Sequence, residues 1–305
     1  MQSKISETIE LLNIATEQLH LLKNKTFDTI HLAKPNSIDS AIDLTKIISK
    51  LSPMMGNLIE FSICEYLNSI PKFNSIGRWY RQDPGFPDTV FRSHISPSPG
   101  IEIKAWFPLS TEITARFKDS QSYFTEGQTN VVLVAWLPEY IIFGYPKIID
   151  IVIISAQSIA YMRDRHYSNP PDYLIVEPRD TSDRTINLQQ SNTNGYKFQG
   201  SLSQFHEAQD VYKNWINRGL SGQSNPANYI YQQMVQDLMS RFPYRLDTNF
   251  AKIDRINHQE IEKFKFQVLN SLMYDLSISD WSKLLSKGSI ENIAQVFSSK
   301  FNIRY

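Results

Sequence analysis

Three ionisable residues define the chemistry this sequence suggests. Asp88 follows Pro87 at the head of the β-prone run DTVFR (88–92), and Glu102 and Lys104 stand two apart in GIEIKAW (100–106). Side chains alternate across a strand, so residues two apart share a face. Glu102 and Lys104 therefore point one way while Ile101, Ile103 and Ala105 pack the other way. With the two strands antiparallel and joined through the SPSPG turn, Asp88 comes beside both. Neighbouring carboxylates raise each other's pKa, and a hard divalent cation removes that cost. Mg²⁺ is bound through one or two carboxylates, with water and substrate phosphate oxygens completing the set. It lowers the pKa of a bound water and offsets charge developing at phosphorus. A lysine beside it holds or deprotonates that water and neutralises the transition-state oxygens. The expected chemistry is Mg²⁺-assisted phosphodiester hydrolysis, with Asp88 and Glu102 as ligands and Lys104 at the water. The competing reading makes Glu102 and Lys104 a solvated cross-strand ion pair and Asp88 a turn cap. It explains each residue but not their convergence.

Pro87-Asp88, then thirteen residues, then Glu102-Ile103-Lys104 resembles the signature of the PD-(D/E)xK nucleases. The resemblance covers residues 53 to about 155 and identifies no subfamily. It implies an α/β fold with a restriction-endonuclease-like core: a central mixed β-sheet flanked by helices, with N-terminal and C-terminal helical additions. It also implies a type II restriction endonuclease that hydrolyses double-stranded DNA at a specific sequence, needs Mg²⁺ and leaves 5′-phosphate ends. Such an enzyme acts as a homodimer and has a cognate DNA methyltransferase encoded nearby. The alternatives are a nuclease of the same superfamily serving DNA repair or recombination, and a non-catalytic DNA-binding module on the same fold. Many members carry a glutamate on the helix before the catalytic sheet that reaches the metal site or its water network. Glu60 matches by position. Its helical neighbours Gly56, Ile63, Cys64 and Leu67 place it on an apolar face, where a carboxylate needs a partner; an ion pair with Arg78 or Arg81 is the equal alternative.

The elements that must position these residues are visible as changes of period. Apolar residues recur at helical spacing over 4–23, a second helix covers about 38–50, and a third runs from Pro53 to about Ile70, apolar nearly all round and so expected to be buried. From about 78 the chain turns to short extended runs: 88–92, 100–106, 130–137, 139–144 and 147–154. A helix over 155–166 and a strand over 172–178 follow. After a polar stretch, helical periodicity returns near 203–218, 226–241, 257–276 and 280–299. This order predicts an N-terminal helical region (1–52), a nuclease core with a recognition loop (53–202) and a C-terminal helical region (203–305), forming one compact domain overall.

Beyond the three central residues, Arg116 and Lys118 are candidates for phosphates flanking the scissile bond and Gln121 for the groove, against a surface loop with incidental charges. His94, in the turn between the motif strands, either approaches the site or is simply exposed. Residues 179–200 are long, irregular and rich in side chains that pair with base edges: Arg179, Arg184, Asn187, Gln189, Gln190, Asn192 and Asn194. Arg163 and Arg165 either grip phosphate or pair with Asp164. There is no glycine-rich phosphate loop, no Cys/His spacing suited to zinc and no GxSxG elbow.

Composition bounds these expectations. The 305 residues carry 31 Lys plus Arg against 31 Asp plus Glu, so the formal net charge is zero. That excludes a diffuse basic coat and leaves room for a local basic cleft. At 41% hydrophobic and 20% charged residues the chain is an ordinary globular one. The single cysteine, Cys64, makes no internal disulfide, which together with the polar residues through the first helix points to the cytoplasm. Pro138, Glu139, Pro146, Lys147 and Asp150 interrupt the most apolar stretch and exclude a membrane span there.

Overall fold

The computed structural model describes residues 2–83, 85–110, 112–119, 121, 124–166, 196–198, 201–217, 237, 240–246 and 251–303. In chain order the elements are α1 (Gln2–His20), α2 (Ile38–Ile48), α3 (Ser52–Asn68), α4 (Pro71–Asn74), β1 (Arg78–Arg81), β2 (Thr89–Arg92), β3 (Gly100–Trp106), β4 (Thr129–Pro138), β5 (Pro146–Ser155), α5 (Ala156–His166), β6 (Tyr196–Phe198), α6 (Leu202–Asn217), β7 (Tyr244–Leu246), α7 (Gln259–Asn270), β8 (Leu272–Met273), β9 (Leu276–Ser277), α8 (Ile278–Lys287) and α9 (Ile290–Phe301). The chain divides into two compact units, one made of 1–113, 127–154 and 260–305, the other of 114–126 and 155–259.

The first unit is α/β, built on a five-stranded mixed sheet in the order β1-β2-β3-β4-β5 and flanked by helices. β1, β2 and β3 form an antiparallel meander, and β3 runs parallel to β4. β4 is buried at every position except Asn130, as a continuous apolar run covered on both faces must be. In β5 the buried Asp150 is matched by Lys23 at 2.9 Å and by the Ile151 N–H. Among the described residues no helix is long and apolar enough to cross a membrane.

α3 starts with Pro53 in its first turn, where a missing N–H costs nothing. It buries Met55, Ile59, Ile63, Cys64 and Leu67, one helical stripe. The expected all-round burial is corrected: Met54 and Phe61, on the other side, are exposed. Beneath α3, Trp79 and Phe91 face each other across β1 and β2 and pack with Phe73 of α4 at 5.1–5.7 Å between ring centres. Asn68, the last residue of α3, accepts from the Trp79 N–H and donates to the Trp79 carbonyl, both at 2.9 Å. The side-chain amide thus occupies the outer bonding positions of the edge strand, which would otherwise be open to pairing.

Three expected elements differ. The run at 139–144 is a turn joining β4 to β5, with Ile141 and Gly144 at positive φ and Glu139 N–H bonded to the Tyr145 carbonyl. Its residues are apolar because Ile141 and Ile142 are buried, and because Tyr140 and Phe143 stack on each other and against Phe301. The helix expected over 280–299 is two helices. Gly288 ends α8, and Ser289 caps α9 by accepting from the Asn292 N–H. The expected 257–276 helix stops at Asn270, and Tyr274 and Asp275, both at positive φ, turn the chain between β8 and β9.

In the second unit, Arg163 is fully buried on α5. Its Nε and Nη2 donate to Asp164 Oδ1 and its Nη1 to the Phe117 carbonyl at 2.6 Å. Of its two expected roles, it takes the pairing with Asp164. The expected strand at 172–178 and recognition loop at 179–200 lie almost wholly outside the described residues, as does nearly all of the expected helix at 226–241.

Candidate active site

The β2–β3 register pairs Thr89 with Ile101 and Val90 with Gly100. One step further it sets Asp88 opposite Glu102, where strand pairing stops because side chains take over. The Asp88 N–H donates to Glu102 Oε2 at 3.0 Å, and the Ile103 N–H donates to Asp88 Oδ2 at 2.7 Å. Each carboxylate thus accepts from the backbone of the other strand. Lys104 Nζ donates to Glu102 Oε1 and lies 3.6 Å from Asp88 Oδ2. Asp88 is also held from the residue after β1, its carbonyl accepting from the Gln82 N–H at 2.7 Å. Gly100 permits the approach: a Cβ there would meet the Pro87 ring at 2.5 Å and Thr129 Oγ1 at 3.2 Å. A larger residue would push Pro87-Asp88 away from β3.

Glu60, on α3, joins this cluster through Arg81, whose Nη2 lies 3.4 Å from Glu60 Oε2 and 3.1 Å from Asp83 Oδ2. Of the two alternatives posed for Glu60, the ion pair with Arg81 is present, and the charges of Asp88 and Lys104 also act on the Glu60 carboxylate. Desolvation by burial, with the Asp88 charge adding, raises its pKa above the ordinary glutamate value. Burial likewise pushes Glu102, 6% exposed, up to about 7; Lys104 opposes this shift and Asp88 adds to it. For Lys104, burial acts against the ammonium, but the charges of Glu102 and Asp88 outweigh it and hold the pKa above that of an ordinary lysine.

The residues fit a divalent cation by charge and donor type. Three carboxylates, Glu60, Asp88 and Glu102, share two cations, Lys104 and Arg81. The pKa values of Glu60 and Glu102 are raised first by burial, with the neighbouring Asp88 charge adding to it. The donors are hard oxygens, and Asp88 Oδ1 receives no hydrogen bond from the described residues. Among the described residues no group of three or more His, Cys, Asp or Glu side chains is arranged to hold a metal ion. Two carboxylates completed by water and phosphate oxygens are the usual protein share of a Mg²⁺ site.

His94 is exposed. Arg116, Lys118 and Gln121 belong to the second unit and are half-buried; Arg116 makes a backbone bridge to Lys252, and its Nε is buried. Arg184, Asn187, Gln189, Gln190, Asn192 and Asn194 lie outside the described residues. One participant was missed from the sequence, Gly100 as the seat of Pro87; of the two ion-pair partners posed for Glu60, the structure has Arg81. The signal for Gly100 was present, since a glycine opening a strand marks a close backbone approach.

Comparison of the chain with protein-family models, curated proteins and solved structures finds no match.

Proposed function

We propose that this protein is a Mg²⁺-dependent endonuclease with a restriction-endonuclease-like core, hydrolysing phosphodiesters of double-stranded DNA in the manner of a type II restriction enzyme. The observation that carries this reading is the convergence of Asp88, Glu102 and Lys104, at the end of the β2–β3 ladder, in a buried cluster short of positive charge. Asp88 and Glu102 are the residues to hold Mg²⁺. Bound there, the ion supplies Lewis-acid polarisation of a phosphate oxygen and a lowered water pKa.

The chain's own groups do the rest. The Ile103 and Asp88 N–H groups orient the two carboxylates before any ligand arrives. Lys104 starts as an ammonium tied to Glu102, a donor that positions water and neutralises phosphoryl oxygens. With Mg²⁺ held by the two carboxylates, Lys104 would stand beside both the attacking water and the phosphate, where its N–H groups would hold that water and neutralise the phosphoryl oxygens. Arg81 keeps Glu60 at the margin of the cluster. Two such sites related by a twofold axis would cut both strands of a symmetric sequence.

Incubating the protein with phage DNA and Mg²⁺ tests this proposal. Discrete fragments with ligatable 5′-phosphate ends are expected. Nonspecific or structure-dependent cutting would reassign it to repair or recombination, and DNA binding without Mg²⁺-dependent turnover would make it a binding module.

A further inference from the structure

The hairpin of β1 and β2 has an outer face that the cluster's own interactions do not use. Register pairs Arg78 directly with Arg92 and Tyr80 with Val90, so these four side chains share one face of the sheet. The opposite face, with Trp79 and Phe91, is buried. Arg78 and Arg92 are exposed, and Tyr80 is 42% exposed. The Arg92 guanidinium lies over the Tyr80 ring, 4.7 Å from its centre.

Like charges directly opposite each other on adjacent strands destabilise a sheet, and edge positions ordinarily pair such a charge with a carboxylate. Here, among the described residues, neither guanidinium has a carboxylate within 4.0 Å. The pair is therefore a standing concentration of positive charge in a chain whose net charge is zero.

Strand alternation carries this face to the site. Val90 pairs with Gly100, so Arg92, Val90, Gly100, Glu102 and Lys104 lie on one side of the sheet. Arg92 is four residues from Asp88, roughly 13 Å at about 3.3 Å per residue, a distance equal to the axial rise of about four base pairs of duplex DNA. A backbone phosphate relieves the Arg78–Arg92 repulsion, and the further distance from this pair to Asp88 is one that a polyanion spans and a single small anion does not.

We propose that Arg78 and Arg92, with Tyr80 fixing the Arg92 guanidinium, form a track that holds the sugar-phosphate backbone of duplex DNA beside the carboxylate cluster. This rests on the nuclease reading for the identity of the polyanion, and it adds a binding surface independent of the catalytic residues.

The test measures the affinity of the full chain for a fluorescein-labelled DNA duplex, in EDTA so that binding is read without cleavage, between about 50 and 200 mM salt. Each phosphate neutralised contributes about 0.9 to the slope of log affinity against log salt. The Arg78→Gln/Arg92→Gln double variant should therefore show a slope shallower by about 1.8 and weaker binding to every sequence tested, while Arg78→Lys/Arg92→Lys keeps the slope. Arg92→Glu should place a carboxylate opposite Arg78, preserving the fold by circular dichroism while binding is lost. Equal slopes for the wild type and the double glutamine variant would overturn the proposal, even if the protein cuts DNA. Absence of duplex binding by the wild type would overturn it, while Mg²⁺-dependent cutting, measured in parallel, decides the nuclease reading by itself. A shallower slope in the double variant of a protein that shows no Mg²⁺-dependent cutting would uphold the track and remove the nuclease reading alone.

Discussion

An ionised Glu102 costs the fold free energy, because one N–H and one ammonium stand in for the water its carboxylate has lost. Its pKa lies near 7 in the folded chain against 4.5 ordinarily, so between those values the native state binds more protons than the unfolded one. The contribution of Glu102 to the stability of the metal-free protein should then be greatest near and below pH 4.5, fall as pH rises to about 7 and level off above, by on the order of 3 kcal/mol. Denaturant unfolding across that range in EDTA reads this directly. Glu102→Gln should flatten the profile and exceed the wild type in stability above pH 7; parallel profiles would count against the assignment. Lys104 occupies the Glu102 oxygen that a cation needs, so Lys104→Met should bind Mn²⁺ more tightly by calorimetry while losing cleavage by about 10²–10⁴-fold. A lysine that merely fills space would leave metal affinity unchanged. The convergence of Asp88, Glu102 and Lys104 was legible in the sequence because strand alternation and one short connection determine it. The grip of Arg81 on Glu60 was left open, since it depends on the register of β1, whose RWYR has too little apolar alternation to announce a strand.

Among the elements, α3 and β1 position the cluster jointly, and Asn68 is the link between them. Asn68→Ala removes two hydrogen bonds to Trp79 and reopens an edge strand. It should cost about 2 kcal/mol in urea unfolding, at about 1 kcal/mol per bond. In the second unit, Arg163→Met leaves Asp164, itself 3% exposed, as an uncompensated buried charge. A loss of about 3–5 kcal/mol is expected, and restoration by Asp164→Asn in the same chain would identify the pair as the cause. β3 occupies the residues its alternation predicts, because Ile101 and Ile103 pack inward on either side of a polar Glu102. EYIIFG misleads for a physical reason. Composition reports burial, and burial of Ile141 to Phe143 comes from tertiary packing around Phe301, not from strand pairing. DTVFR begins one residue late as a strand, at Thr89, because Asp88 exchanges ladder bonds for side-chain bonds to β3, the same exchange that forms the site.

At the scale of the whole molecule, the equality of 31 basic and 31 acidic residues does not conflict with a polyanionic substrate. Positive charge is local: Arg78 and Arg92 stand unpaired by acid among the described residues on the outer face of the β1–β2 hairpin, while Lys104 and Arg81 are absorbed by the carboxylate cluster. DNA binding by a neutral protein with such a patch should weaken steeply with salt. In the proposed function one cluster of two carboxylates and a lysine hydrolyses DNA with a divalent ion. Its decisive test is conversion of supercoiled plasmid by the wild type and by Asp88→Asn, Glu102→Gln and Lys104→Met proteins, each with Mg²⁺ and with EDTA. The wild type should cut with Mg²⁺ and not with EDTA, and each variant should lose cutting by about 10²-fold or more while duplex binding persists. Intact plasmid with the wild type in Mg²⁺, or cutting by all three variants at the wild-type rate, would contradict it.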